Sequence, residues 1–151
     1  VVSNATFQWL HEFKATMEKL KNLLEDDGVL AFSFFGPKTF KELQSVIYEV
    51  FGDGHDIPST KFLGEQEIKE VMEQLFGNVV WKKMTFQKRY ADLIALIRQI
   101  KNTGTRGQGL AMTQLWTPAK FKKMEECYVR EYGDICVTYE VFCCVAGSKR
   151  G

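Results

Sequence analysis

Residues 28–43, GVLAFSFFGPKTFKEL, decide how this chain folds. Val29 to Phe35 are apolar apart from Ser33, and glycines stand at both ends, Gly28 and Gly36. A nearly continuous apolar run of this length suits a strand buried on both faces, as in a parallel sheet covered by helices. Pro37 then fits the first position of a helix, where its fixed φ and missing N–H cost nothing. Phe40, Leu43, Val46, Ile47 and Val50 follow at helical spacing, with Gly52 near the end. A buried strand leading straight into an amphipathic helix is the repeating piece of an α/β fold.

The pattern extends in both directions. Upstream, Val1 to Thr6 read as a strand interrupted by the polar pair Ser3-Asn4. Phe13, Met17, Leu20, Leu23 and Leu24 then predict a helix that Gly28 stops. Downstream, DGHDIPSTKF (53–62) is a polar loop, and Ile68, Val71, Met72 and Leu75 mark a short helix. NVVWKKMTFQ (78–87) reads as a strand, and Leu93, Ile94, Ile97 and Ile100 give the next helix its apolar side. TRGQGLAMTQLW (105–116) is Gly-rich and irregular, the composition of a surface loop. Thr117-Pro118 is an N-cap with a first-turn proline, opening a helix that carries Phe121, Met124, Tyr128 and Tyr132. ICVTYEVFCCVAGSK (135–149), rich in β-branched and aromatic residues, is the last strand. The expected order is strand, helix, strand, helix, helix, strand, helix, helix, strand, in one α/β domain spanning 1–151.

Composition limits the function classes. A chain of 151 residues with 45% hydrophobic content can bury a real core. Twenty Lys and Arg face nineteen Asp and Glu, so a nucleic-acid binder driven by net charge is not expected, although a local basic patch is. No apolar run approaches the roughly 20 residues of a membrane span, and no basic-then-apolar leader is seen, which favours a cytoplasmic protein without membrane contact. The opening strand has no lead-in and no Met, so the chain is expected to be part of a longer protein. Cys127, Cys136, Cys143 and Cys144 include no CxxC, and only His11 and His55 could join them, so no metal is expected. Cys143 and Cys144 point to opposite faces of their strand and read as reduced cytosolic thiols.

Several motifs are missing: no Walker loop, GxGxxG, HExxH or GxSxG occurs. Phosphate cradling and activated-serine hydrolysis therefore have no support. His11 and His55 could act as bases but suit a solvated surface. Asp26-Asp27, Asp53 and Asp56 sit in turn contexts, where aspartate bonds the local backbone. Lys82-Lys83, and Lys120, Lys122, Lys123 and Arg130, read as solvated faces or as a docking surface for an acidic partner. Arg98 and Lys101 stand three apart on one helix beside Ile97 and Ile100. They could hold a carboxylate through the planar fork of Arg98, or be a plain surface pair. Ligands of open α/β sheets bind beyond the carboxyl ends of the strands. Ser3-Asn4-Ala5 and Phe34-Phe35-Gly36 occupy two such ends and could form one pocket wall.

SNATFQWL (3–10), the following helix and GVLAFSFFGPKTFKEL (28–43) together resemble the second half of class I methyltransferases that use S-adenosylmethionine. The likeness continues through KFLGEQEI (61–68), LIRQIKNTG (96–104), LWTPAKFKKMEECY (115–128) and VTYEVFCCVAG (137–147). It is narrowest toward the biotin-synthesis malonyl-acyl-carrier-protein O-methyltransferases, the BioC type. The first segment is also shared with trans-aconitate methyltransferases, and a non-catalytic binding domain on half of the fold is a further alternative. Arg98, Lys101 and Gly104, with the VTYEV ending, favour the biotin enzyme. The resemblance implies the C-terminal half of a Rossmann-like sheet, mostly parallel with an antiparallel last strand and helices on both faces. Of seven strands this chain supplies the fourth to the seventh. The Gly-rich cofactor loop belongs to the other half, so this chain alone is expected to be inactive.

The implied reaction is methyl transfer from S-adenosylmethionine to the free carboxylate of a malonyl thioester, carried by acyl-carrier protein or coenzyme A. Ser3, Asn4, Ala5, Gln8 and Trp9 are implied to border the cofactor, Ser3 to Ala5 at its methionine end. Phe35 and Gly36 are implied on the acceptor side. Arg98 and Lys101 would hold the malonyl carboxylate or the carrier's phosphate-bearing arm, and the basic helix after Pro118 would meet the acidic carrier. No catalytic base is implied. The exposed edge of the Val1 strand would be a pairing liability, with a dimer through that edge as one outcome.

Overall fold

A computed structural model describes residues 1–102 and 117–148. The Gly-rich stretch 105–116 and Gly104 lie outside the described residues. The elements are β1 (Val2–Asn4), α1 (Phe13–Leu23), β2 (Val29–Phe35), α2 (Lys41–Phe51), α3 (Glu65–Leu75), β3 (Gly77–Arg89), α4 (Leu93–Asn102), α5 (Pro118–Tyr132) and β4 (Cys136–Gly147). Single 3-10 turns lie at Phe7–Trp9 and Pro58–Lys61. The alternation read from the sequence is present in full.

The strands form one mixed sheet in the order β1-β2-β4-β3. β1 runs parallel to β2, with Val2 opposite Ala31 and Asn4 opposite Ser33. β4 runs antiparallel to β2, from Val29 opposite Gly147 to Phe35 opposite Val141. The last strand is thus antiparallel, as the resemblance implies. β1 is the first strand in this order, and Val1 and Val2 are exposed. Among the described residues no helix is long and apolar enough to cross a membrane.

The chain divides into two compact units, and the division falls inside β3 and β4. Unit 1 holds Val1–Pro37, Phe62–Thr85 and the chain from Glu140 onward. Its core joins Phe13 and Met17 of α1, Leu30, Phe32 and Phe34 of β2, Ile68 and Met72 of α3, and Phe142, Cys144 and Ala146 of β4. β2 alternates here: Leu30, Phe32 and Phe34 are fully buried, while Ala31, Ser33 and Phe35 are half-buried. Its second face is therefore less covered than the apolar run suggests. α1 buries Phe13 and Met17 but leaves Leu23, assigned to its stripe, 76% exposed.

Unit 2 holds Lys38–Lys61 and Phe86–Tyr139. Its core joins Leu43, Val46 and Ile47 of α2, Leu93, Leu96 and Ile100 of α4, Met124, Cys127 and Tyr128 of α5, and Val137 of β4. On α4 the buried positions are 93, 96 and 100, a proper i, i+3, i+7 face, and Ile94 points outward. α2 starts at Lys41, not at Pro37. The reason is tertiary: Phe40 caps the helix in the left-handed region at φ 63°, which a bulky residue rarely adopts. Its N–H donates to Thr138 O at 2.7 Å and its ring meets Tyr139 edge-on at 5.1 Å. α5 begins as expected, with Lys120 N–H donating to the Thr117 hydroxyl oxygen at 3.3 Å and Pro118 in the first turn.

Candidate functional site

Seven of the nine residues singled out in the sequence lie in unit 1, at the carboxyl ends of β1 and β2. The parallel pairing brings these ends together. Ala5 N–H donates to Ser33 O at 2.8 Å, prolonging the ladder one step past β1. The Ser33 hydroxyl donates to Asn4 Oδ1, and the Thr6 hydroxyl donates to Asn4 O at 3.0 Å. Ala5 itself adopts φ 49°, a left-handed turn that swings the chain out of the strand.

The 3-10 turn after Ala5 carries Gln8 and Trp9. Phe7 fixes this turn by packing on Phe32 at 5.1 Å, and Trp9 meets Phe62 edge-on at 5.1 Å. The Gln8 amide donates to Ala5 O at 2.7 Å. Its Oε1 is buried with no hydrogen-bond partner among the described residues. A buried acceptor without a donor costs about 1–3 kcal/mol. It lies among the residues that the resemblance implies for the cofactor.

Phe35 ends β2 and is half-buried, while Gly36 is buried. Gly36 N–H donates to Glu140 O at 2.8 Å. A Cβ at Gly36 would run into Glu140 Oε2 and lie 2.5 Å from the Phe142 ring. Gly36 is glycine because a carboxylate and an aromatic ring close over its Cα. Glu140 is buried, with a side chain only 3% exposed, and its Oε1 pairs with Lys83 Nζ at 3.0 Å. Lys83 also reaches Glu65 Oε2 at 3.2 Å and lies over the Phe142 ring, 5.4 Å from its centre. Glu65 Oε1 in turn accepts from Lys69 at 2.8 Å and from the Trp81 indole at 3.0 Å.

This network moves the titrations in opposite directions. The Glu140 and Glu65 carboxylates hold the Lys83 ammonium above its usual range, with Glu140 the larger cause. Hydrogen bonding from Lys69, then from Lys83, holds Glu65 below the ordinary carboxylate value despite some desolvation.

Sequence reading missed this group. The sequence reads Lys82-Lys83 together, as a solvated face or a docking surface for an acidic partner, yet consecutive strand residues face opposite ways, and only Lys83 turns toward Glu140. Glu140 was the stronger signal: a lone charge inside an otherwise apolar strand must find a partner.

Arg98 and Lys101 lie in unit 2, both exposed on α4. The basic residues of α5 are mostly engaged within unit 2. Lys120 lies over Phe51 at 4.4 Å, Lys122 pairs with Glu126 at 3.9 Å, and Arg130 pairs with Glu49 and Glu131. His55 Nδ1 donates to Gly52 O, 3.2 Å away in the loop after α2, and the Tyr48 hydroxyl of α2 donates to Asp56 Oδ1. His11 is exposed and lines a groove of about 510 Å³ with Glu12, Glu18, Leu63, Glu67 and Val71, apart from the seven strand-end residues. Among the described residues no three His, Cys, Asp or Glu side chains gather as metal ligands.

The fold is part of the Rossmann-like α/β fold of class I methyltransferases. The YcgJ protein of Bacillus subtilis superposes with a TM-score of 0.53 at 11% identity, over 99% of this chain and 63% of that one. A Bacillus halodurans structure, described as a candidate methyltransferase, gives 0.50 at 11% identity, over 99% and 64%. Within that class the chain resembles the C-terminal portion of the malonyl-[acyl-carrier protein] O-methyltransferases. It is 30% identical over 134 residues to such an enzyme from Ilyobacter polytropus, covering 89% of this chain and 49% of the relative. A Paenibacillus counterpart is 29% identical over 155 residues, covering 97% and 56%. One from Acetivibrio thermocellus reaches 40% over 80 residues, covering 50% and 28%. The chain thus spans about half the length of the curated relatives it matches. No family model matches it.

Proposed function

We propose that the protein carrying this sequence transfers a methyl group from S-adenosylmethionine to the free carboxylate of malonyl-acyl-carrier protein or malonyl-coenzyme A, an early step of biotin synthesis. The observation that carries this reading is the likeness to enzymes named for that acceptor, which runs over most of the chain. A cytoplasmic location goes with it.

The chemistry suits the residues present. When bound, the sulfonium supplies an electrophilic methyl group. A malonyl carboxylate is ionised near neutral pH and attacks without a general base. What remains for the protein is to align donor and acceptor and exclude water. Ser3, Asn4, Ala5, Gln8 and Trp9 would hold the donor, and the buried Gln8 Oε1 offers one unmet acceptor for it. Phe35 and Gly36 would line the acceptor side. Arg98 and Lys101 would take the malonyl carboxylate or the phosphate-bearing arm, and α5 the acidic carrier. This chain alone, without the remaining half of the fold, would not turn over.

The test is a methyl-ester assay of the full-length gene product with malonyl-acyl-carrier protein, malonyl-coenzyme A and trans-aconitate as acceptors. Ester formation on a malonyl thioester is expected. Methylation of trans-aconitate alone rejects the reading in favour of the small-acid enzymes.

A further inference from the structure

Lys83 is placed where an acceptor carboxylate would need a cation. Its ammonium pairs with Glu140 Oε1 at 3.0 Å, and the other oxygen of that buried carboxylate abuts the Cα of Gly36, the first residue past β2. Lys83 is thereby tied to the strand end where ligands of open α/β sheets sit. The Phe142 ring beneath it replaces part of its water shell. Yet its side chain is 39% exposed, so the ammonium is reachable.

Its two carboxylate partners differ. Glu140 is buried and cannot leave without stranding a charge. Glu65 opens α3, its side chain is 29% exposed, and its contact with Lys83 is, at 3.2 Å, the longest of its three polar contacts. Glu65 keeps Lys69 and the Trp81 indole through its other oxygen if it releases Lys83. A carboxylate arriving from outside can therefore replace Glu65 at little cost.

We propose that Lys83 anchors the acceptor's carboxylate beside Gly36, with Glu140 as its fixed counter-ion and Glu65 as the internal carboxylate the acceptor displaces. This rests on the methyl-transfer reading for the identity of the acceptor, and it assigns the carboxylate to Lys83 in place of Arg98 and Lys101. Lys83 is then a specificity residue: it separates a malonyl group, which ends in a carboxylate, from an acetyl group, which does not.

The test titrates malonyl-coenzyme A and acetyl-coenzyme A into the full-length gene product by calorimetry. Glu65→Gln removes the competitor and should tighten malonyl-coenzyme A about threefold or more, while Lys83→Met should weaken it about tenfold, the worth of one charge-assisted hydrogen bond. Acetyl-coenzyme A should respond to neither. A Glu65→Gln protein with unchanged or weaker malonyl binding overturns the proposal, as does equal loss of both ligands in Lys83→Met or a wild type that binds no malonyl-coenzyme A. Should Lys83→Met fail to fold, the half-exposed Glu65 still decides. Methyl transfer by the wild type is measured alongside. Expected binding without transfer rejects the methyltransferase reading and leaves the carboxylate site; transfer with binding indifferent to both variants does the reverse.

Discussion

Each unit buries one glutamate almost completely, and the two are satisfied in opposite ways. In unit 2, Glu42 of α2 accepts from the Thr138 backbone N–H at 2.7 Å and from the Thr138 hydroxyl. Both donors are neutral and buried, and both belong to one residue of β4. In unit 1, Glu140 takes a lysine whose side chain is more than a third exposed, and packs against a glycine at a strand end. Glu42 is a rivet: its bonds join α2 to β4 and have no opening to water. Glu140 is a fixed charge with a reachable counter-ion, the arrangement a binding site needs. A buried acid by itself indicates neither role; the accessibility of its partner separates them.

Glu42→Ala should break this comparison hardest. It leaves the Thr138 N–H buried without an acceptor and opens a void beside α2, so a loss of about 3 kcal/mol is expected in denaturant unfolding. Gly36→Ala comes next. The new Cβ must push aside Glu140 and the Phe142 ring, and overpacking of this kind costs about 2 kcal/mol. Its signature differs from that of Glu42→Ala, because acceptor binding should fall along with stability. A Glu42→Ala protein as stable as the wild type would undo the distinction between the two acids. Thr117→Ala serves as a reference in unit 2. It removes the α5 cap and should cost about 1 kcal/mol without touching malonyl-coenzyme A affinity.

The contrast also marks how far the sequence could be read. Element order was legible because each segment carries its own period, 3.6 for the helices and a short apolar run for β2. The start of α2 was not, because a hydrogen bond from Phe40 to Thr138, some 98 positions on, overrides the local preference of Pro37. Ile94 and Leu96 were exchanged for the same kind of reason: both fit a helical stripe, and only packing against the rest of unit 2 chooses between them. At the candidate site, the strand-end residues Ser3 to Ala5 and Phe35-Gly36 could be found from the rule about carboxyl ends. That the lone acid of β4 lies behind Gly36 could not, since it depends on β4 pairing beside β2 in this register, which no local pattern encodes.

The smallest effect expected is a pH dependence that separates the units. The Lys83 ammonium titrates above its usual value in the folded protein because Glu140 and Glu65 stabilise its charge. A raised folded value means the contribution is complete below the unfolded value of 10.5 and is lost as pH climbs through the folded one. Glu65 works at the other end. Its lowered value supports the fold above the unfolded 4.5 and gives up that support as pH falls through the folded value. Lys83→Met should therefore flatten the alkaline limb of the stability curve and leave the Glu42 region unchanged. The exposure of Lys83 screens the pair, so the change in limb should be modest and should shrink further in salt. Denaturant melts from pH 8 upward, with and without added salt, would show it. A Lys83→Met curve parallel to that of the wild type would mean that Glu140 draws its support from elsewhere, and the division between rivet and reachable charge would have to be redrawn.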